Sequence, residues 1–208
     1  KKYYTSLLDN SLSYAFEFEL NKVFFSKALQ LDFNILYPQI ALEENVRNTI
    51  IISPGASAEF RRWSTQNFIE LIRAILINEP KREVIITGSP AEKPLGDAIK
   101  TAFSNIANVK NACGSMKLSK LCIELTKCTA LFSNESGVVH LAKALRVPNI
   151  YCISNGNHYG RFNPYPSNDG DVEMHYIYPP AFENALKQDA EATLKKYYWG
   201  SRIKIDSI

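Results

Sequence analysis

The chain of 208 residues lacks any apolar run that approaches the roughly 20 residues of a membrane-spanning helix. Its N-terminal residues also lack the apolar core of a signal peptide. The 24 basic and 21 acidic residues give a net charge of +3, spread along the chain without the basic runs of a nucleic-acid-binding arm. We therefore expect neither a membrane span nor secretion, no nucleic acid as a partner, and at most peripheral contact with a membrane.

Cysteine is scarce, and several familiar motifs are missing. The four cysteines form no C-x-x-C pair and have no histidine at zinc-ligand spacing, which favours buried free thiols in a reducing, cytoplasmic compartment and argues against a metal site. The chain also has no G-x-G-x-x-G, no G-x-x-x-x-G-K-[ST], no G-x-S-x-G and no H-E-x-x-H. Dehydrogenases, P-loop enzymes, serine hydrolases and zinc proteases are thereby disfavoured.

Short β-rich runs alternate with helical patterns from residue 49 onward, as in an α/β domain with a parallel sheet. Several runs are apolar at consecutive positions, as expected for strands that helices cover on both faces. The predicted strands are 49–53, 83–87, 130–133, 149–154 and 175–178. The predicted helices cover 68–76, 95–103, 118–125, 137–145 and 181–198. This alternation predicts a three-layer, Rossmann-like α/β domain with a doubly wound, mainly parallel sheet.

The N-terminal part of the chain does not follow this alternation. It holds one helical pattern, 17–31, and then an extended stretch that contains Pro38. We interpret residues 1–46 as a remnant of, or linker from, an N-terminal domain that is missing from this chain, and residues 47–208 as the α/β domain.

The stretch S-N-E-S-G-V-V-H-L-A, residues 133–142, runs from a predicted strand directly into a helix. Ligands of open α/β sheets bind beyond the carboxyl ends of the strands. Ser136 is a natural N-cap, and Gly137 lets a ligand approach the N–H groups of the first helical turn. We expect His140 to add a donor beside that turn, with a satisfied structural histidine as the alternative. We interpret the stretch as a phosphate site, with an ordinary capped helix as the alternative.

Other strand-end loops reach the same edge of the sheet. Arg61 and Arg62 follow the first strand and are suited to pairing with phosphate oxygens, with a solvated pair as the alternative. Glu92 stands at a helix start, where it either complements the helix dipole or accepts a hydrogen bond from a ribose hydroxyl. The segment around Met116 offers backbone groups to a base edge.

A polar loop with His158, Tyr159 and Arg161 follows the fourth predicted strand at the same edge. Loops in this position frequently carry function. We expect these three residues at the mouth of the cleft, as sugar or acceptor contacts, with an ordinary polar surface loop as the alternative.

Taken in order, four motifs carry a family resemblance over residues 49–166. They are P-G-A…R-R-W-S, G-S-P-A-E, C-G-S-M-K-L-S-K-L and N-E-S-G-V-V-H-L-A-K-A-L-R-V-P. The chain resembles the C-terminal, donor-binding half of the heptosyltransferase-type glycosyltransferases, family nine of the GT-B enzymes. Residues 21–42 also resemble the stretch by which that family passes from its first domain to its second.

The resemblance implies a two-domain enzyme that transfers a sugar, typically a heptose from its ADP derivative, without a metal or cofactor. The implied acceptor is a lipopolysaccharide-type glycan or glycolipid at the cytosolic face of the inner membrane. Arg61 stands where the family has a lysine that contacts the donor phosphates, Glu92 matches a ribose-binding carboxylate, and Met116 lies where the backbone meets adenine. The implied donor contacts are Arg61, Glu92, Met116, Glu135, Ser136, Gly137, Val138 and His140.

The departures from the family pattern limit what the resemblance implies. Glu135 replaces the usual aspartate, Arg61 replaces lysine, and the loop over residues 153–162 differs from the family's turn, so the donor sugar stays open. The family's catalytic carboxylate belongs to the N-terminal domain, so we expect no catalytic base in this chain and no activity of the fragment alone. A non-catalytic nucleotide-binding module on the same scaffold is the alternative.

Overall fold

A parallel sheet forms the centre of the computed structural model, which describes residues 14–32, 40, 48–165, 172–200, 203 and 205. Within these residues the sheet has six strands in the order β3-β2-β1-β4-β5-β6, and every neighbouring pair is parallel. The strands are β1 (Thr49–Ser53), β2 (Glu83–Ile86), β3 (Val109–Asn111), β4 (Cys128–Asn134), β5 (Asn149–Ile153) and β6 (Glu173–Ile177). This order is that of a Rossmann-like sheet, so the predicted fold class is confirmed.

Helices connect the strands and cover both faces of the sheet. They are α1 (Glu17–Leu29), α2 (Thr65–Asn78), α3 (Lys93–Thr101), α4 (Leu118–Thr126), α5 (Gly137–Ala144), α6 (Pro180–Gln188) and α7 (Ala190–Tyr197). Alternate residues of β1 point to opposite faces: Ile50 and Ile52 pack with α2 and α3, whereas Ile51 packs with α4 and α5. The doubly wound arrangement follows from this alternation.

The direction of winding reverses between β1 and β4, which lie side by side in the middle of the sheet. The loops that leave their carboxyl ends diverge and open a crevice, the usual ligand position in this class of fold. Asn134, at the end of β4, and Pro54, directly after β1, border that crevice.

Two elements differ from the sequence-based prediction. Strand β3 was not predicted, because only Val109 of its three residues is buried and Lys110 is exposed, so the segment has almost no apolar pattern. The predicted C-terminal helix over 181–198 is broken: Asp189 adopts an extended conformation, and its side chain accepts a hydrogen bond from the Ala192 N–H and starts α7. The Pro38 stretch and the domain boundary at 46/47 lie outside the described residues.

Helix α1 is attached to the α/β domain at its first turn. The Glu17 N–H donates to the backbone oxygen of Arg161 at 2.7 Å, and Arg161 Nε donates to Glu17 Oε2 at 2.7 Å. The Tyr198 hydroxyl donates to the backbone oxygen of Ala15. Further along α1, Phe24 and Phe25 are about half exposed, and no side chain of the helix is buried. No helix in the described part of the chain combines the length and the apolar character that crossing a membrane requires.

Candidate functional site: two cavities that share a helix terminus

Two cavities lie side by side at the carboxyl edge of the sheet. The first, of about 650 Å³, has Glu92, Met116 and Val138 in its wall and is called the Met116 cavity here. The second, of about 460 Å³, has Arg61, Glu135, His140 and His158 in its wall and is called the Glu135 cavity. Ser136 and Gly137 line both. The first residues of α5 therefore form a ridge between two ligand-sized spaces.

The N-terminus of α5 is open at this ridge. Ser136 occupies the N-cap position in an extended conformation, but its side chain does not cap the helix as we expected; its Oγ lies 3.3 Å from the Ser133 hydroxyl. A Cβ added to Gly137 would meet no atom within 4 Å, so the space before the first turn is unobstructed. N–H groups and the positive end of the helix dipole make such a terminus an anion site.

Arg61 extends a positive charge toward the same turn. It ends a short 3₁₀ helix in the loop after β1, and its side chain is only 18% exposed. Nη1 donates to Ser57 Oγ at 3.1 Å, and Nη2 donates to the backbone oxygen of Glu135 at 3.3 Å. The buried Nε has no hydrogen-bond partner among the described residues. The Arg61 guanidinium is therefore partly desolvated and connects two loops. The alternative interpretation of Arg61 and Arg62 as a solvated surface pair does not describe this side chain.

The neighbouring arginine points elsewhere. Arg62 donates through Nε and Nη2 to the backbone oxygen of Ala56, at 3.0 and 2.8 Å. It lines a third cavity of about 560 Å³, together with Phe60 and Trp63, on another side of this loop. The two arginines therefore face different spaces, and Arg61 alone of the two lines the Glu135 cavity.

Glu135 is buried at the base of the second cavity. Its Oε2 accepts a hydrogen bond from the Ser154 hydroxyl, and its Oε1 lies 3.7 Å from Arg61 Nη2. Burial raises the pKa of the carboxyl, while the Ser154 hydrogen bond and the charge of Arg61 act in the opposite direction. The carboxylate is thus held in one orientation between a hydroxyl and a guanidinium.

Glu92 has a structural role at the start of a short helix, as part of a capping box. Its Oε2 accepts a hydrogen bond from the Ser89 N–H at 2.6 Å, which caps the short helix at residues 90–92. A Cβ added to Gly55 would lie 1.8 Å from Glu92 Oε1, so the loop after β1 approaches this carboxylate closely. Glu92 also lines the Met116 cavity. A contact with a ribose hydroxyl stays a prediction.

The wall of the Met116 cavity combines polar and apolar residues, and its polar part consists of Glu92 with Ser53, Thr87, Ser89 and Ser136. Met116 is half-buried, and the side chains of Leu118, Leu121 and Leu141 share the wall with it. Apolar side chains beside a few polar groups are typical of a pocket for a small organic ligand. Met116 and Val138 both line this cavity, and a contact between Met116 and a base stays a prediction.

His140 projects from the first turns of α5 into the Glu135 cavity. Its Nδ1 lies 2.8 Å from the Tyr165 hydroxyl, in hydrogen-bond contact. Burial lowers the pKa of the imidazole below its ordinary value of 6.5, which favours the uncharged ring at neutral pH. Tyr165 was not singled out from the sequence, because its position beside His140 depends on the path of the loop after β5.

The polar loop expected at the mouth of the cleft divides into three environments. His158 lines the Glu135 cavity, and its Nδ1 lies 3.2 Å from the backbone oxygen of Tyr198. Tyr159 packs edge-on against Phe182, at 5.2 Å between ring centroids. Arg161 pairs with Glu17 of α1 and lies over the Trp199 ring. Of the three, only His158 lines that cavity.

Sequence reasoning also missed two buried polar residues. Asn134 connects the end of β4 to the loop after β1, and Ser154 holds Glu135. The available signal was a polar residue at the end of an otherwise apolar strand, because such a residue needs a buried partner.

Among the described residues, no three His, Cys, Asp or Glu side chains stand together as a metal site would require. Cys113, Cys128 and Cys152 are buried thiols outside any disulfide, as expected, and Cys122 is half-buried.

Fold and site together define a doubly wound α/β protein with an open helix terminus between two cavities. The sequence profile of glycosyltransferase family 9 (heptosyltransferase) matches residues 5–189. The chain belongs to this family, which confirms the resemblance seen in the four motifs.

Individual relatives agree with the family assignment. Lipooligosaccharide heptosyltransferase 2 of Campylobacter jejuni is 25% identical over 150 residues, 71% of this chain and 44% of that protein. Lipopolysaccharide heptosyltransferase 2 of Salmonella typhimurium is 28% identical over 130 residues, 55% of this chain and 37% of that protein. A solved structure of the E. coli heptosyltransferase WaaC with ADP has the same fold, with a TM-score of 0.62, 17% identity and coverage of 84% of this chain and 56% of that one. The chain spans less than half the length of these two curated relatives.

Proposed function

We propose that this chain is the donor-binding part of a glycosyltransferase. The proposed donor is an ADP-linked, heptose-like sugar, and the proposed acceptor is a lipopolysaccharide-type or other cell-envelope glycan. The observation that carries the proposal is the open terminus of α5, which separates a cavity with Met, Leu and Val side chains in its wall from one that the charged and polar side chains of Arg61, Glu135 and His158 line. A nucleotide sugar has the matching sequence of parts: an apolar base, a charged diphosphate and a polar sugar.

The diphosphate is proposed to lie over Ser136 and Gly137. There it would accept hydrogen bonds from the first-turn N–H groups and face the Arg61 guanidinium. Negative charge develops on the diphosphate as the bond to the sugar breaks, so fixed donors at this point stabilise the transition state without a metal. This is the chemical task proposed for the chain.

The two ends of the donor are proposed to occupy different cavities. The base would lie against Met116 and Val138, with the ribose near Glu92. The sugar would enter the Glu135 cavity, where Glu135 and His158 offer polar groups to its hydroxyls. Support for adenine and heptose comes from relatives described as heptosyltransferases and from a structure of the same fold solved with ADP.

Sugar transfer itself is assigned to a longer protein. We place no catalytic base among the described residues, and we expect this chain to bind donor without transferring its sugar. The second domain proposed to complete the enzyme would contribute the acceptor site. Such an enzyme would act on the cytoplasmic side of the membrane.

Calorimetry of the 208-residue chain with ADP, UDP and GDP at one fixed salt concentration tests the proposal. We expect saturable binding of ADP and weaker binding of the other two. Equal binding of all three would overturn the adenine assignment, and no binding of any would overturn donor binding. A reading frame that starts near Lys1, with no upstream α/β domain, would favour a non-catalytic nucleotide-binding module over a transferase.

A further inference from the structure

A single side chain holds both ends of the loop that carries Arg61. Asn134 Oδ1 accepts a hydrogen bond from the Trp63 N–H at 2.9 Å, and Asn134 Nδ2 donates to the backbone oxygen of Pro54 at 2.7 Å. Pro54 directly follows β1 and Trp63 lies just before α2, so the two bonds close a loop over residues 55–62. Asn134 is completely buried.

Asn134 directly precedes the proposed phosphate site in the sequence. Asn134 ends β4, Glu135 follows it, and Ser136 and Gly137 form the ridge between the cavities. Any shift of the loop relative to Asn134 therefore changes the distance between Arg61 and the first turn of α5. The guanidinium has only long contacts of its own to that turn, at 3.3 and 3.7 Å from Glu135 atoms, so they do not fix the loop tightly.

We propose that Asn134 is a positioning residue that fixes Arg61 against the anion site at the α5 terminus. An amide suits this task because it offers one donor and one acceptor in a rigid plane, matching a carbonyl at one end of the loop and an N–H at the other. The inference rests on the proposed function, because the diphosphate of the proposed donor is the ligand toward which Arg61 is positioned.

A second asparagine gives a matched control. Asn149, at the start of β5, donates through Nδ2 to the backbone oxygen of Thr129, also across neighbouring strands of the sheet. It lies at the opposite edge from the cavities, because parallel strands all begin at one edge and end at the other. Both Asn→Ala changes remove a hydrogen bond from a side-chain amide to a backbone oxygen of a neighbouring segment, but only the change at Asn134 releases the Arg61 loop.

The test is a double-mutant cycle on ADP affinity with the full 208-residue chain. Asn134→Ala is expected to weaken ADP binding by about tenfold, and Arg61→Ala made in the Asn134→Ala chain is expected to cost less than about threefold further, well below its effect in the wild type. Asn149→Ala is expected to change ADP affinity by less than about twofold and to leave the Arg61 effect intact. Additive effects of Asn134→Ala and Arg61→Ala would overturn the positioning role, even if both proteins lose stability.

Hydrogen exchange of the wild-type chain provides a test that needs no variant and no ligand. The Trp63 amide is expected to exchange as slowly as the backbone amides of β4, because its partner is a buried side chain. Fast exchange at Trp63 would overturn the inference. If wild-type ADP binding fails while the Trp63 amide is protected, the proposed function fails and the loop attachment stands, so the two failures are distinguishable.

Discussion

The Arg61 guanidinium bridges the loop after β1 and the turn after β4 through Glu135. Its Nη2 donates to the Glu135 backbone oxygen at 3.3 Å and lies 3.7 Å from Oε1 of the same residue. The pair is mostly shielded from water, so the charge of Arg61 is only partly screened at the α5 terminus. A cation therefore stands beside the proposed diphosphate position in this structure.

Removing that cation is expected to weaken nucleotide binding. Arg61→Ala should reduce ADP affinity by about 1.5–3 kcal/mol, which is roughly 10- to 150-fold, because it removes a charge-assisted hydrogen bond. Arg61→Lys keeps the charge but loses the forked geometry, so an intermediate loss is expected. Calorimetry measures both. The control is Arg73→Ala, which removes an exposed arginine on α2 that pairs with Glu70; an equal loss there would point to net charge instead of the site.

Adding a methyl group at Gly137 is expected to separate binding from folding. The added Cβ meets no atom of the chain, so stability should change by no more than about 1 kcal/mol, while ADP binding falls because the methyl group occupies the space before the helix. Denaturant unfolding and calorimetry give the two quantities.

The matched variant, Gly156→Ala, should lose stability, unlike Gly137→Ala. Gly156 has φ +77°, and a Cβ there would lie 2.2 Å from the Phe182 ring, so Gly156→Ala is expected to destabilise the fold by about 2 kcal/mol or more. Unchanged ADP affinity in Gly137→Ala would remove the α5 terminus from the binding site.

The pH dependence of stability should report on Glu135. Because its pKa is raised above the ordinary value of 4.5, the folded chain binds this proton more tightly than the unfolded chain. Ionisation of Glu135 therefore lowers the free energy of unfolding as the pH rises from 4.5 through the folded-state pKa. Glu135→Gln abolishes this ionisation.

Thermal unfolding at about pH 4 and about pH 7.5 is the corresponding measurement. The stability of Glu135→Gln relative to the wild type should improve from the lower to the higher pH. Glu191→Gln, which removes one exposed carboxylate from α7, is the control for the change in net charge. A difference between Glu135→Gln and the wild type that stays constant with pH would contradict the raised pKa.

Arg161 should affect the attachment of α1 without affecting the nucleotide. The Arg161–Glu17 pair is about a quarter exposed, so we expect Arg161→Ala to cost about 1 kcal/mol or less. Protease cleavage within α1 should become faster, while ADP affinity stays within about twofold of the wild type. Limited proteolysis and calorimetry measure the two effects. A large loss of ADP affinity would instead place Arg161 in the phosphate site.

The elements that could be predicted from the sequence are those that a short stretch of consecutive residues specifies. The consecutive apolar residues of β1 and β2 indicate strands covered on both faces, and E-S-G after β4 indicates a helix terminus that a ligand can approach. Strand β3 escaped prediction because its edge position needs only one buried residue, Val109. The break at Asp189 was missed because the helical pattern continues across it, although its carboxylate starts a new helix.

The missing parts of the site depend on contacts between distant segments. Asn134 acts on residues 71 and 80 positions away, and Ser154 lies 19 positions from Glu135. No local pattern specifies such partners, since they meet only after the parallel strands have aligned. Arg161 likewise stands in a polar loop at the expected edge, but its partner Glu17 is 144 positions away.

The ridge of Ser136 and Gly137 has a consequence for how ligands should be assembled. Two separate fragments, one in each cavity, would each lose their own translational and rotational freedom on binding. A molecule that spans the ridge loses that freedom only once. It therefore avoids part of the second loss, whose free-energy cost is roughly 4–15 kcal/mol per association. Fragment linking across Ser136 and Gly137, with an anionic or strongly accepting bridge, is therefore the most direct route from two weak binders to one tight ligand.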